Sequence, residues 1–470
     1  MQAKGKTELM YANEKPWRLF FIVALPSMVS MFAMSIYAIF EGIFIGHTLG
    51  EEAFAAVNIA FPLVMINFSL ADLIGVGASV PISIALGKGD HDTANNVFSA
   101  STLLIFVTSC IMGAIMFFAA VPLSRMMGAD GELLDTSVRY LRTFALMGPV
   151  STIFFAMDNY LRISGYVKTS MVINVVSNFG TVGLLALFLI AMKMDVVGAA
   201  LASSISLCAC SVVALIPFVR KKALLRFVKP KITLSMLKQI GACGSPIFLN
   251  NVSGRVTSIL LNIALMTLGA KELGEGGGTT AVAVYAVLMY SSDLCWPLLY
   301  GIADALSPAI GYNYGANDHI RVKKIARCGF IGTAVVGLIS TAFLFFFPDV
   351  IASWFVKASE LTLFEMSTKA IRLFCFAYIF RWLTVSTQSF FSAIEKPGKA
   401  TLMSVSMAFV FPILLLGALW HFGLDGIWFN FVGVNILGAA LAVILILTVK
   451  SGFAKDEQKA EDNGNTDGGV

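Results

Sequence analysis

Apolar residues fall in twelve runs, at about 17–46, 53–85, 94–121, 137–160, 170–192, 196–219, 241–269, 280–312, 324–347, 366–393, 400–420 and 424–449. A membrane-crossing helix needs about 20 predominantly apolar residues, so each run predicts one span, several with an internal Pro or Gly. The longest polar connection, 219–240, carries RKKALLRFVKPK from Arg220. It separates an N-terminal six-helix lobe (1–218) from a C-terminal one (241–449), and the polar, Gly-rich tail at 450–470 reads as disordered.

The two sets of six repeat each other. SVPISIALGKGDH at 79–91 aligns with SPAIGYNYGANDH at 307–319, an offset of 228 at which Ser, Ile, Gly, Asp and His coincide. AFAAV at 53 aligns with AVAVY at 281 at the same offset, and Pro26 matches Pro246 at offset 220, the difference fitting a Gly-rich insertion at 274–278. Six helices per repeat make both halves enter from one face, a parallel repeat about the membrane normal with the substrate path between halves. The fold expected is an all-α integral membrane protein, twelve transmembrane helices in two parallel six-helix repeats around a central cavity.

Composition narrows the class. Of 470 residues 57% are hydrophobic and 13% charged, with mean hydropathy +0.82 and net charge +5. Soluble domains carry about 25% charged residues, so a soluble enzyme, a disordered protein and a nucleic-acid binder are excluded. Seven cysteines and four scattered histidines form no metal knuckle, ligand cluster or disulfide framework, and no P-loop, GxSxG or HExxH occurs. No cofactor or metal is expected. The first run is too long for a signal-peptide core and lacks a small-residue cleavage site, so it should be retained. With the N-terminus cytoplasmic, 23 Lys and Arg fall on the cytoplasmic side and 8 on the other, leaving Arg255 and Arg381 inside helices. That asymmetry puts both termini in the cytoplasm.

Five acids lie within apolar runs: Glu41, Asp72, Asp158, Asp293 and Asp304. A charge at a helix centre costs about 2.5–3.5 kcal/mol, so each is expected to face protein or water. Helix two carries Asn58, Pro62, Met65, Ser69 and Asp72 on one face, and helix eight carries Asp293, Pro297, Tyr300 and Asp304 at matching positions. Helix seven adds Asn251, Arg255, Ser258 and Asn262; helix ten adds Arg381, Thr384, Gln388 and Ser392. Interhelical hydrogen bonds that only hold the bundle, at about 0.6 kcal/mol each, would use the same stripes. Their ionisable members favour a wet substrate cavity. Arg255 or Arg381 is expected to pair with Asp293 or Asp304, and Asp158 with Arg162 at i+4. Glu41 and Asp72 have no evident cation and are the candidates to take up a proton or hold Na⁺. Met31, Met34 and Tyr37 share a sector of helix one with Glu41, a surface able to repack around varied ligands.

Taken together, IYAIFEGIFIGHTLG at 36–50, IAFP at 59–62, NYLRISG at 159–165, VVGAALASS at 196–204, GYNYGAND at 311–318 and FFSAIEKPGKA at 390–400 resemble the multidrug and toxic compound extrusion (MATE) family. The GYNYGA stretch is most like its MepA-type bacterial branch. The resemblance, over residues 17–449, implies a monomeric multi-pass protein of the bacterial cytoplasmic membrane. Such a protein exports small amphipathic molecules, often cationic, in exchange for H⁺ or Na⁺; its partners are those substrates and the membrane lipids. It places Glu41 where the family has a helix-one aspartate, and brings Asn178 and Ser203 to join Glu41 and Asp72 at the cation site. Val182 stands where the family has a second acid, and Gly254 and Arg255 stand where some members have a helix-seven acid. A lipid-linked oligosaccharide or peptidoglycan-precursor flippase of the same superfamily is the alternative, kept open by the two embedded arginines. Cysteine-accessibility labelling should reach the 220–231 segment from the cytoplasmic side only; labelling from outside the cell would overturn the topology.

Overall fold

The computed structural model describes residues 6–356 and 360–466. Lys4, Lys357 and the last four residues of the expected tail, 467–470, lie outside the described residues. Among those described, every regular element is helical, and twelve stretches are long and apolar enough to cross a membrane. In chain order the helices are α1 (Lys6–Asn13), α2 (Pro16–Gly87), α3 (His91–Phe118), α4 (Ala120–Met126), α5 (Gly131–Ser151), α6 (Ile153–Ile163), α7 (Val167–Leu185) and α8 (Val196–Val219). They continue as α9 (Leu234–Leu273), α10 (Gly277–Gly315), α11 (His319–Phe346), α12 (Pro348–Ser353), α13 (Leu361–Phe374), α14 (Tyr378–Ala393), α15 (Pro397–Val405), α16 (Phe411–Ala418) and α17 (Gly423–Thr466).

The first two spans lie in α2 as two arms separated by a kink at Gly50 (φ 84°, ψ 179°). A Cβ is strained in that region, and glycine adopts it at no steric cost. The eight-residue α1, which no apolar run announces, precedes the first span. At the other end α17 runs on to Thr466, and Lys455–Glu461 consists largely of helix-forming residues.

The internal repeat is visible in local geometry. Asp90 caps α3 by accepting from the Thr93 amide (3.0 Å), and Asp318 caps α11 by accepting from the Arg321 amide (2.9 Å), each position offset by 228. Such a cap satisfies an amide that the helix itself leaves open. Asp90 is exposed and its carboxyl is held below the usual range by the Thr93 hydrogen bonds.

The chain forms two compact units. One takes residues up to Phe248 with Trp296–Asn317 and Ser392–Pro397; the other takes Leu249–Cys295, Asp318–Phe391 and residues from Gly398 onward. The divisions of α9 and α10 fall beside Pro246 and Pro297. In the first unit α2, α5 and α8 bury Ile45, Val64, Tyr140, Leu141, Phe144 and Ala200 together. In the second, Tyr285 and Phe374 pack on Phe431, with ring centroids 5.9 and 5.7 Å apart, and the buried Asn430 amide donates to the Pro412 carbonyl (2.8 Å).

Within the first unit the ends of α2 and α10 meet backbone to backbone. A Cβ on Gly87 would collide with the Tyr312 carbonyl, and one on Gly315 with the Ile84 carbonyl. Gly87 and Gly315 are equivalent at offset 228, as are Ile84 and Tyr312, so the contact is reciprocal and self-complementary. Overpacking costs about 1–3 kcal/mol. Gly87→Ala and Gly315→Ala should therefore lower the unfolding midpoint in detergent by similar amounts. Gly183→Ala, where a Cβ meets nothing within 4 Å, should leave it nearly unchanged.

Candidate functional site

The polar residues singled out by the sequence separate into three groups. The first surrounds Glu41, on the first arm of α2. Ser203 Oγ, from α8, donates to Glu41 Oε1 (3.1 Å) and lies 3.3 Å from the Tyr37 hydroxyl. Tyr37 precedes Glu41 by four residues on the same helical face and hydrogen-bonds to it. The hydroxyl of Tyr140, from α5, is close enough to interact with the Glu41 charge. Glu41 thus sits among three hydroxyls, and among the described residues it forms no ion pair. Asn178 is half-buried on α7 and makes no hydrogen bond among the described residues. Val182, one turn further on, supplies no charge.

The second group corrects the placement of Asp72 beside Glu41. The charges that act on Asp72 are Asp304 and Asp158, and it also faces Tyr300. At the centre of this group is Arg162, at the end of α6, its side chain only 7% exposed. It donates to Asp304 Oδ2 (2.5 Å), Asp158 Oδ2 (2.9 Å) and Asn159 Oδ1 (2.8 Å). Ser170 and Asn174 (2.6 Å) donate to the other Asp158 oxygen. The expected Asp158–Arg162 pair is present, but Arg162 also serves Asp304, for which Arg255 or Arg381 had been the expected partners. Two carboxylates, Asp158 and Asp304, therefore share one guanidinium, and Asp72 lies near both of them. Among the described residues no group of three His, Cys, Asp or Glu could hold a metal ion.

An unforeseen residue closes this group. The Tyr11 hydroxyl, from α1, donates to the Arg162 carbonyl (2.6 Å), and the Asn313 side chain donates to the Tyr11 carbonyl (3.1 Å). Tyr11 is 2% exposed. Neither this contact nor Arg162–Asp304 has a signal in local sequence, since the partners stand 151 and 142 residues apart.

The third group lies in the second unit. Arg381 lies close enough to Asp293 for their charges to interact and sits over the Tyr378 ring at 5.9 Å. Tyr378 and Ser292 share a hydrogen bond of 3.1 Å. Asp293 and Arg255 are exposed, and Arg255 has no ion pair among the described residues. Of the remaining predicted cavity residues, Met34 and Asn58 are exposed, whereas Met31, Met65, Ser69, Asn251 and Gln388 are half-buried.

Comparison with known proteins follows the same division into repeats. The family model MatE matches residues 26–188 and 246–416, segments whose starts are 220 and whose ends are 228 residues apart, the two offsets of the internal repeat. The chain is 24% identical over 458 residues to the multidrug export protein MepA of Staphylococcus saprophyticus, covering 96% of this chain and 98% of that protein. It is 24% identical over 463 residues to MepA of Staphylococcus aureus strain NCTC 8325, with the same coverage. A solved structure described as the outward-facing conformation of a multidrug resistance MATE family transporter of the MOP superfamily superposes with a TM-score of 0.87 at 22% identity, covering 97% of this chain and 100% of that one. Another, of a MOP superfamily transporter from Pyrococcus furiosus described as having a binding pocket of reverse polarity, superposes with a TM-score of 0.83 at 22% identity, covering 94% and 98%.

Removing one partner from a buried ion pair costs about 3–5 kcal/mol, because the other charge is left uncompensated. Arg162→Met should therefore lower the unfolding midpoint sharply. Adding Asp304→Asn to it should recover part of the loss, since one orphaned carboxylate is then removed. A double variant no more stable than Arg162→Met would show that Asp304 does not depend on this arginine.

Proposed function

The chain belongs to the MatE family, and from that premise we propose that it is a secondary antiporter of the cytoplasmic membrane, with both termini cytoplasmic. It exports small amphipathic compounds, often cationic, by alternating access. The observation that carries this reading is Glu41: a carboxylate with hydroxyl partners from Tyr37 and Ser203 and no cation. The name multidrug export protein on relatives that align along nearly the whole chain supports the substrate class.

Glu41 is the coupling residue, and the coupling ion is H⁺. A carboxylate with two or three hydroxyls suffices to hold a proton, and Val182 withholds the second acid that would strengthen a Na⁺ site. Protonated and ionised Glu41 favour different states of the transporter, and substrate favours the state that releases the proton. An ion gradient drives export only through such a difference, because a ligand that binds both states equally shifts nothing. Asp72 belongs to a separate titratable group with Asp158, Arg162 and Asp304. Met31, Met34, Met65, Asn58 and Ser69 are the candidate substrate contacts of the first repeat, and Asn251, Arg255, Asp293, Tyr300, Arg381 and Gln388 those of the second.

The test uses the full chain in vesicles, with proton and Na⁺ gradients imposed separately. An amphipathic cation and a lipid-linked sugar are offered side by side. Export of the cation should follow the proton gradient. Glu41→Gln, which keeps the shape and loses the titration, should reduce it to background, and Glu41→Asp should retain part of it. Efflux by Glu41→Gln equal to the parent would remove Glu41 from coupling. Transport of the lipid-linked sugar instead would favour a flippase.

A further inference from the structure

The segment between α8 and α9 is held in place along its length. The Tyr166 hydroxyl donates to the Lys222 carbonyl (3.0 Å). Asn95, Ser99 and Asn96, on one face of α3, then accept in turn from the amides of Arg226 (2.8 Å), Val228 (2.9 Å) and Lys231 (2.7 Å). Asn96 also donates back to the Lys231 carbonyl (3.1 Å). Ala223 and Leu225 are buried at 5% and 0% exposure, and the Phe227 ring lies 4.7 Å from that of Phe98. Pro230 adds a fixed φ between Lys229 and Lys231.

The fixed strap carries six cations, Arg220, Lys221, Lys222, Arg226, Lys229 and Lys231, and Lys238 follows at the start of α9. All are exposed, and none forms an ion pair among the described residues. No Asp or Glu occurs between Asp195 and Glu272. Asp92, one turn before Asn96 on α3, pairs with none of them, and Glu395 accepts from Gln239 at the far end. Phe227, Val228, Ile232 and Leu234 are exposed between the cations. Because the strap joins two apolar spans, it stands at the level of a membrane surface.

We propose that the strap at 220–238 is a docking ledge for the anionic headgroups of membrane phospholipids. Rows of Lys and Arg beside a transmembrane helix attract such lipids, and apolar side chains among them suit the headgroup–acyl boundary. A free phosphate would use the charges but not the apolar residues. Because α3 fixes the backbone, the cations are presented without the ordering cost that a flexible basic loop incurs on binding. The ledge is independent of Glu41 and of the ion exchanged.

The experiment titrates the purified full-length chain in neutral detergent with phosphatidylglycerol, phosphatidylcholine or inorganic phosphate. Retained lipid is read by native mass spectrometry and stability by the unfolding midpoint. Phosphatidylglycerol alone should be retained and raise the midpoint. Each removed charge should weaken it about fivefold, so Arg226→Gln/Lys229→Gln/Lys231→Gln should lose roughly a hundredfold. Asn96→Ala keeps every charge and loosens the strap, and should weaken retention at least threefold. Lys323→Gln/Lys324→Gln/Arg327→Gln, with equal charge loss on α11, should leave retention unchanged. Equal loss in the two triple variants, retention by Asn96→Ala equal to the parent, or the same shift with inorganic phosphate would each overturn the proposal. Should the strap triple variant fail to fold, Lys229→Gln and Asn96→Ala decide it. Neither readout depends on transport, so failure here leaves the antiport reading untouched.

Discussion

A buried guanidinium organises the first unit. Arg162 cannot be left without counter-charge in a low-dielectric interior, and its partners are Asp158, one turn back on its own helix, and Asp304, remote in sequence on α10. Its carbonyl is claimed by Tyr11 of α1. Each partner is held in turn, Asp158 by Ser170 and Asn174 of α7, and Tyr11 by Asn313 of α10. The orientations of α1, α6, α7 and α10 therefore follow from one charge that needs several acceptors at once. Ion pairs of this kind contribute little net stability relative to apolar replacements, yet removing one partner is costly. Such a network specifies an arrangement more than it strengthens it.

Internal duplication supplies the surface on which that arrangement rests. Gly87 approaches the Tyr312 carbonyl as Gly315 approaches the Ile84 carbonyl. The glycine of each repeat thus meets the same position of the other repeat, three residues before that repeat's own glycine. Small residues are favoured where helices associate in hydrocarbon, since no hydrophobic force drives apolar helices together there and close packing must do so. The serine and threonine hydroxyls follow the same constraint. Thr102, Thr152, Thr181 and Ser291 each donate to the carbonyl four residues back, which satisfies a polar group inside an apolar helix without a partner from elsewhere.

The spans were legible because membrane burial imposes a long, continuous signal, and the repeat was legible because its offset preserved a cap and a glycine. Short α1 carried no such signal; its place depends on Tyr11 reaching a carbonyl 151 residues away. The i+4 pair of Asp158 and Arg162 was readable from helical geometry, whereas Asp304 as the second partner was not. Helical periodicity reports which face a residue occupies but not which helix that face meets.

Depth also separates the two carboxylates that the sequence had joined. Glu41 lies nine residues before the break at Gly50, and Asp72 lies twenty-two residues after it. At 1.5 Å per residue, their levels along the two arms of α2 differ by about 20 Å. Their surroundings differ accordingly: three hydroxyls around Glu41, two further carboxylates and Tyr300 around Asp72. One proton or cation cannot be coordinated by both. Asp72 instead neighbours the two carboxylates that Arg162 holds, and that network is tied through Tyr11 and Asn313 to the end of the unit where α2 and α10 pack through Gly87 and Gly315. The first unit thus holds two separate carboxylate environments, one among hydroxyls on the first arm of α2, the other beside the buried arginine.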